Sequence, residues 1–164
     1  MRYKKSLFFI LLILLSITGC KSKNLDSSLN AVYKEKNTIA VSIIPEETFV
    51  KAIAGDLVDV ITMIPPGYSP ANYEPTPNQM IKLSKSKVYF SIGVPTEAAN
   101  ILPIINSLNK DLKVVSLAEK VKEVYPERNL GKGRDPHIWL SPKRVKVMIE
   151  VIKDELIELD PNNK

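Results

Sequence analysis

The sequence predicts an α/β lobe: a four-stranded, mainly parallel sheet flanked by helices and ending in one long helix. Three observations carry that reading. Short β-branched runs alternate with amphipathic stretches, the links between them are brief, and the longest helical pattern closes the chain. Apolar residues make up 45% of the 164, without low-complexity bias, which is enough for one domain with a real core.

The first residues read as an address rather than as part of that core. Met1–Lys5 is basic, Leu7–Leu15 is wholly apolar, and Ile17-Thr18-Gly19-Cys20 closes the run with small residues. This is the order of a signal peptide over residues 1–19, and its apolar stretch is shorter than the ~20 residues a spanning helix needs. Leu15 to Cys20 resembles a bacterial lipobox, which implies that Cys20 takes a lipid anchor and becomes the mature N-terminus. Cys20 is the only cysteine, so no internal disulfide forms. Residues 20–37 are polar and aperiodic and read as a flexible tether. The formal charge of +5 falls to +2 without Arg2, Lys4 and Lys5, and no basic patch or aromatic platform points to nucleic acid.

The folded part is expected over residues 38–164. Ile39–Ile44 is a β-branched run stopped by Pro45, and so the first strand. Glu46 and Glu47 open a short helix as complements to its dipole, Phe49, Val50 and Ile53 give it one apolar face, and Gly55 ends it. Val58–Ile64 is the second strand, expelled from the sheet by Pro65-Pro66-Gly67. Thr76-Pro77-Asn78-Gln79 is a capping box with proline at the first helical position, followed by apolar Met80, Ile81 and Leu83. Lys87–Ile92 is the third strand, ended by Gly93. Thr96–Leu108 reads as a helix that Pro103 kinks or shortens. Lys113–Leu117 is the fourth strand, and Ala118–Arg134 a charged, irregular surface excursion. Pro142–Leu159 is the long amphipathic helix, with Val145, Ile149, Ile152, Leu156 and Leu159 on one stripe. In such a sheet, ligands sit beyond the carboxyl ends of the strands, where Pro65–Pro77 and Asp135–Ser141 fall.

Those two stretches carry a resemblance. Pro65-Pro66-Gly67-Tyr68-Ser69-Pro70-Ala71-Asn72-Tyr73-Glu74-Pro75-Thr76-Pro77 and Asp135-Pro136-His137-Ile138-Trp139-Leu140-Ser141-Pro142 are similar to two signatures of the zinc/manganese-type ABC transporter solute-binding lipoproteins. Ser42-Ile43-Ile44-Pro45 with Ala54-Gly55-Asp56, and Phe90-Ser91-Ile92-Gly93-Val94-Pro95, match the same family in order and spacing. The resemblance runs from Ile39 to Lys164. It implies two α/β lobes joined by a long helix, with a divalent zinc or manganese ion held between them as cargo, two ligands coming from each lobe. It also implies an ABC permease and its ATPase as partners, on the outer face of the cell membrane. This sequence carries the first lobe and its linking helix, and the second lobe's ligands fall outside it.

Residue by residue, His137 is the only histidine and the expected metal ligand, with Asp135 in reach as the partner that fixes its tautomer. By its position alone it also reads as a packed histidine capping the next helix. The family places a second histidine where Ala71 stands, and a methyl group cannot coordinate. Asn72 or Glu74 either brings an oxygen donor to the cleft or shapes the turn, and Tyr73 is grouped with them as a possible cleft residue. Trp139, between Ile138 and Leu140, reads as core. No Ser-His-Asp set, phosphate loop or metal-activating cluster argues for an enzyme. The readings carried forward are a metal receptor for an importer, a surface adhesin or scaffold, and a decayed half-gene with little metal binding.

Overall fold

The computed structural model describes residues 36–131 and 133–164. The expected leader, the Cys20 anchor and all but the end of the tether lie outside the described residues. Strand β1 (Asn37–Val41) leads into helix α1 (Ile44–Ala54) and strand β2 (Val58–Thr62). Helix α2 (Pro77–Ser84) and strand β3 (Val88–Ser91) follow, then a broken helical segment ending in α3 (Ile105–Leu108) and strand β4 (Lys113–Ser116). Helix α4 (Leu117–Val124), a hairpin of β5 (Asn129–Leu130) and β6 (Gly133–Arg134), and helix α5 (Pro142–Leu159) complete the lobe.

The four strands form one parallel sheet in the order β2-β1-β3-β4, with Ile39 opposite both Val60 and Val88, and Val88 opposite Lys113. Alternation along the strands divides the apolar residues between two faces. Ile39, Val41, Val88 and Phe90 pack with Val50 of α1, Val121 of α4, and Met148 and Ile152 of α5. Ala40 and Tyr89 pack instead with Leu83 of α2 and with Ile101 and Ile105. Each such fully buried Ile or Phe contributes about 1.5–3 kcal/mol, so the sheet is held from both sides.

From β1 the chain moves to one side of the sheet, to β2, and from β3 to the other, to β4. The carboxyl ends of β1 and β3 are therefore a topological switch point. Several elements differ from expectation. The first strand ends at Val41, because Ile44 is already the first residue of α1. Strand β2 ends at Thr62, although Met63 and Ile64 still donate to the Val41 and Ser42 carbonyls at 2.9 Å. Thr96–Leu108 splits at Pro103 into a π turn (Glu97–Ile101), a 3-10 turn (Leu102–Ile104) and α3, since proline removes an amide from the ladder. Leu117 belongs to a helix rather than to the fourth strand. That helix, α4, occupies the start of the supposed irregular excursion, with Ser116 accepting from the Glu119 amide as its cap and Leu117, Ala118 and Val121 buried. On α5 the fully buried row is Met148, Ile152 and Leu156, with spacing of one turn, while Ile149 is only half-buried.

Candidate functional site

The edge at the carboxyl ends of β1 and β3 is built on two buried glutamates. Glu46 Oε2 accepts from the Ser42 and Ile43 amides, both at 3.0 Å, and Glu97 accepts from the Ile92 and Gly93 amides, both at 2.8 Å. Each carboxylate thus closes the turn that follows a central strand. Between them the Ser42 hydroxyl and Tyr89 hydroxyl lie 2.7 Å apart. Glu46 Oε1 is buried without a hydrogen-bond partner among the described residues. Burial, and then the charge of Glu97, push the Glu46 carboxyl well above the ordinary value. Glu97 is also pushed up by burial, while Ser42, the two amides and Arg134 pull the other way. Glu46 stands in the first turn of α1, as expected of a residue complementing its dipole, and is fully buried there. The signal available was repetition: Pro45-Glu46 and Pro95-Thr96-Glu97 each follow a buried strand.

Both recognisable stretches converge on the turn from Ile92 to Glu97. In the first, Gly67 takes φ +86° to make the Pro65–Tyr68 turn, a conformation a β-carbon would strain. Thr96 then donates its amide to the Pro70 carbonyl at 3.1 Å and accepts from the Tyr73 amide at 3.0 Å. Asn100 donates to the Tyr73 carbonyl at 2.9 Å, and the Tyr73 hydroxyl reaches Gln79 at 2.8 Å. Gln79 accepts from the Thr76 amide, completing the expected capping box, and donates to Met63 at the end of β2. Tyr73 is thereby a fastener of this loop, edge-on to Tyr68 at 4.9 Å. Ala71, Asn72 and Glu74 are exposed.

In the second stretch, Asp135 Oδ1 accepts from the His137 amide at 3.1 Å and lies 2.7 Å from His137 Nδ1. These bonds hold the Asp135 carboxyl below the usual carboxylate range, so it is ionised and can only accept. Nδ1 therefore donates to Asp135, which in the neutral ring leaves the lone pair on Nε2, the atom a metal would take. The His137 ring is half-exposed and stands 5.1 Å from the Trp139 ring, which packs on the larger core as expected. A pocket of about 290 Å³ opens beside it, lined by Arg128, Asp135, His137, Ser141 and Arg144 among others. Arg144 is committed to the Pro126 carbonyl at 2.6 Å and to the face of Tyr125. Two guanidiniums against one engaged carboxylate make this pocket unfavourable for a bare cation unless further anionic donors arrive. Among the described residues no three His, Cys, Asp or Glu side chains converge as a metal set.

A parallel α/β lobe that presents one oriented imidazole on a surface loop is a scaffold of a recognisable kind. Comparison with known proteins identifies which kind: residues 39–164 match the family described as zinc-uptake complex component A, periplasmic (ZnuA), and the chain belongs to it. It is 34% identical over 172 residues to the manganese ABC transporter substrate-binding lipoprotein scaA of Streptococcus gordonii, covering 98% of this chain and 54% of that protein. It is 33% identical to the iron ABC transporter substrate-binding lipoprotein MtsA of Streptococcus pyogenes serotype M1, covering 94% of this chain and 49% of that one. A crystal structure of ZnuA matches with a TM-score of 0.69 at 36% identity, covering 79% of this chain and 49% of that chain. The Zn(II)-bound ZnuA-like domain of Streptococcus pneumoniae AdcA matches with a TM-score of 0.63 at 26% identity, over 78% and 46%. The chain spans about half the length of the curated relatives it matches. The family is one of solute-binding transport proteins.

Proposed function

We propose that these residues form the first lobe of an extracytoplasmic receptor that captures a divalent transition-metal ion and passes it to an ABC permease and its ATPase. Residues 1–19 act as the leader, Cys20 as the lipid anchor to the membrane, residues 20–37 as the tether and residues 38–164 as the lobe. The relatives' names speak of manganese and iron, and the matched structures of zinc, so the cargo proposed is the class rather than one element. The observation that carries this reading is the Asp135–His137 pair, which leaves Nε2 oriented and available on the half-exposed ring. Asn72 and Glu74 are the exposed oxygen-bearing side chains next to Ala71, and the remaining donors would come from a facing lobe of the kind the relatives' extra length leaves room for.

With one imidazole and a cationic pocket, these 164 residues should bind zinc or manganese with a dissociation constant on the order of 0.1–1 mM. Isothermal titration at neutral pH, repeated with His137→Ala, tests this. Weak binding that the substitution abolishes is the expected result. Absence of any His137-dependent binding up to millimolar metal would reject His137 as a cargo ligand. A sub-micromolar constant lost in His137→Ala would instead show that the lobe holds a complete site.

A further inference from the structure

His137 lies between two anchors of different kinds. On its C-terminal side, Ile138 is buried and Trp139 packs on the core. On its N-terminal side stands the hairpin β5–β6, only two residues per strand, with Leu130 and Gly133 exposed. Such a hairpin has no core of its own and is not stable without support from the lobe. The Asp135 amide closes its base by donating to the Arg128 carbonyl at 2.7 Å, but that bond is internal to the excursion.

We infer that Arg134 is a positioning residue: its guanidinium latches the Asp135–His137 segment onto the turn after β3 through the Gly93 carbonyl. Arg134 donates to the Gly93 carbonyl, and its charge is the smallest of the influences that lower the Glu97 carboxyl. Gly93 is built for this contact. Its φ of +85° disfavours any β-carbon, and a β-carbon placed there would stand 2.8 Å from Arg134 Cζ. Glu97 meanwhile grips Gly93 from the other side, through its amide. A planar, permanently charged fork aims its N–H donors in fixed directions, which a lysine ammonium does less well. From Arg134 the chain has two residues, one of them Pro136, before the imidazole, so little slack separates the latch from His137. With the latch gone, Asp135 and His137 would be held directly only from their C-terminal side, by Ile138 and Trp139, and the carboxylate would lose its fixed approach to Nδ1.

The inference rests on the reading of His137 as cargo ligand, and its test separates the two. In the ¹⁵N-labelled chain, the ring nitrogens of His137 report the tautomer without any metal present. Arg134→Ala should move those signals from the Nδ1–H form toward the mixed form of free imidazole, while the melting temperature stays close to wild type. Zinc affinity should fall about tenfold, the size of effect typical for groups that orient a ligand. Arg134→Lys should recover part of both. Unchanged ring signals in Arg134→Ala would overturn the latch. In the wild type itself, the Arg134 Nη2–H should exchange slowly and show a through-space contact to Gly93, and a freely exchanging signal would overturn it independently of any variant. If wild type binds no zinc through His137, the functional reading fails while the ring signals still decide the latch.

Discussion

The two recognisable stretches of this lobe make opposite use of their surroundings. Pro65–Pro77 is fastened at many points, through Thr96, Asn100 and Gln79, yet its exposed Ala71 offers no side-chain donor. Asp135–Ser141 hangs between one arginine and one buried isoleucine, yet it presents an imidazole with its tautomer set. The lesson is that the fastening of a loop and the donor it carries are separable. The first loop keeps its architecture because Tyr73 and Thr76 serve the fold, whatever atom stands at Ala71.

The sharpest way to break that comparison is to restore the donor. Ala71 is exposed and its backbone is already held, so Ala71→His should fit without repacking. If the loop faces the same cleft as His137, zinc affinity should rise about tenfold to a hundredfold, roughly 1.4–2.8 kcal/mol. An unchanged titration would mean that the two stretches serve different surfaces.

The turn that both stretches share gives the second test. Glu46 and Glu97 have carboxyl pKa values raised by burial above the ordinary 4.5. A raised acid binds its proton more tightly in the fold than in the unfolded chain. Its contribution is therefore complete below that ordinary value and lost as pH rises through the folded value. Stability measured by denaturant should decline above pH 4.5, at up to about 1.4 kcal/mol per pH unit for each proton released. Glu46→Gln should flatten that decline, because an amide keeps the acceptor for Ser42 and Ile43 without a charge to bury. A wild-type profile flat from pH 5 to 8 would show that these carboxylates are solvated or compensated.

The smallest expected effect falls on the well-fastened loop. Tyr73→Phe removes the 2.8 Å bond to Gln79 and should cost about 1 kcal/mol of stability with zinc affinity unchanged. A loss of metal binding in this variant would place Tyr73 in the cleft rather than under the loop.

Much of the framework was legible in the residues. The four strands were found because β-branched runs bounded by glycine and proline have few alternatives, and α2 because Thr76-Pro77-Asn78-Gln79 spells a cap. Helix α4 was not, because its apolar positions Leu117, Ala118 and Val121 are few and the charges around them read as surface. The buried glutamates were missed for a different reason. An acid in the first turn of a helix is compatible both with solvent and with reaching back beneath the preceding strand, and only the packing chooses. The Asp135–His137 contact was readable because a spacing of two residues keeps the carboxylate within reach of the ring. Arg134 was not, since its partner Gly93 lies on the far side of a strand and a helix.

The helix α5 has a consequence for how the chain comes into being. Met148, Ile152 and Leu156 lie in the same cluster as Ile39 and Val50, so the first strand and the last helix complete one another. Nearly the whole lobe must leave the ribosome before that face of the sheet can be dried. The central pairing of β1 with β3 likewise waits on a long intervening segment, a topology that slows closure. The nascent polypeptide therefore stays open through most of its synthesis, with its first strand uncovered until the last turns of α5 arrive.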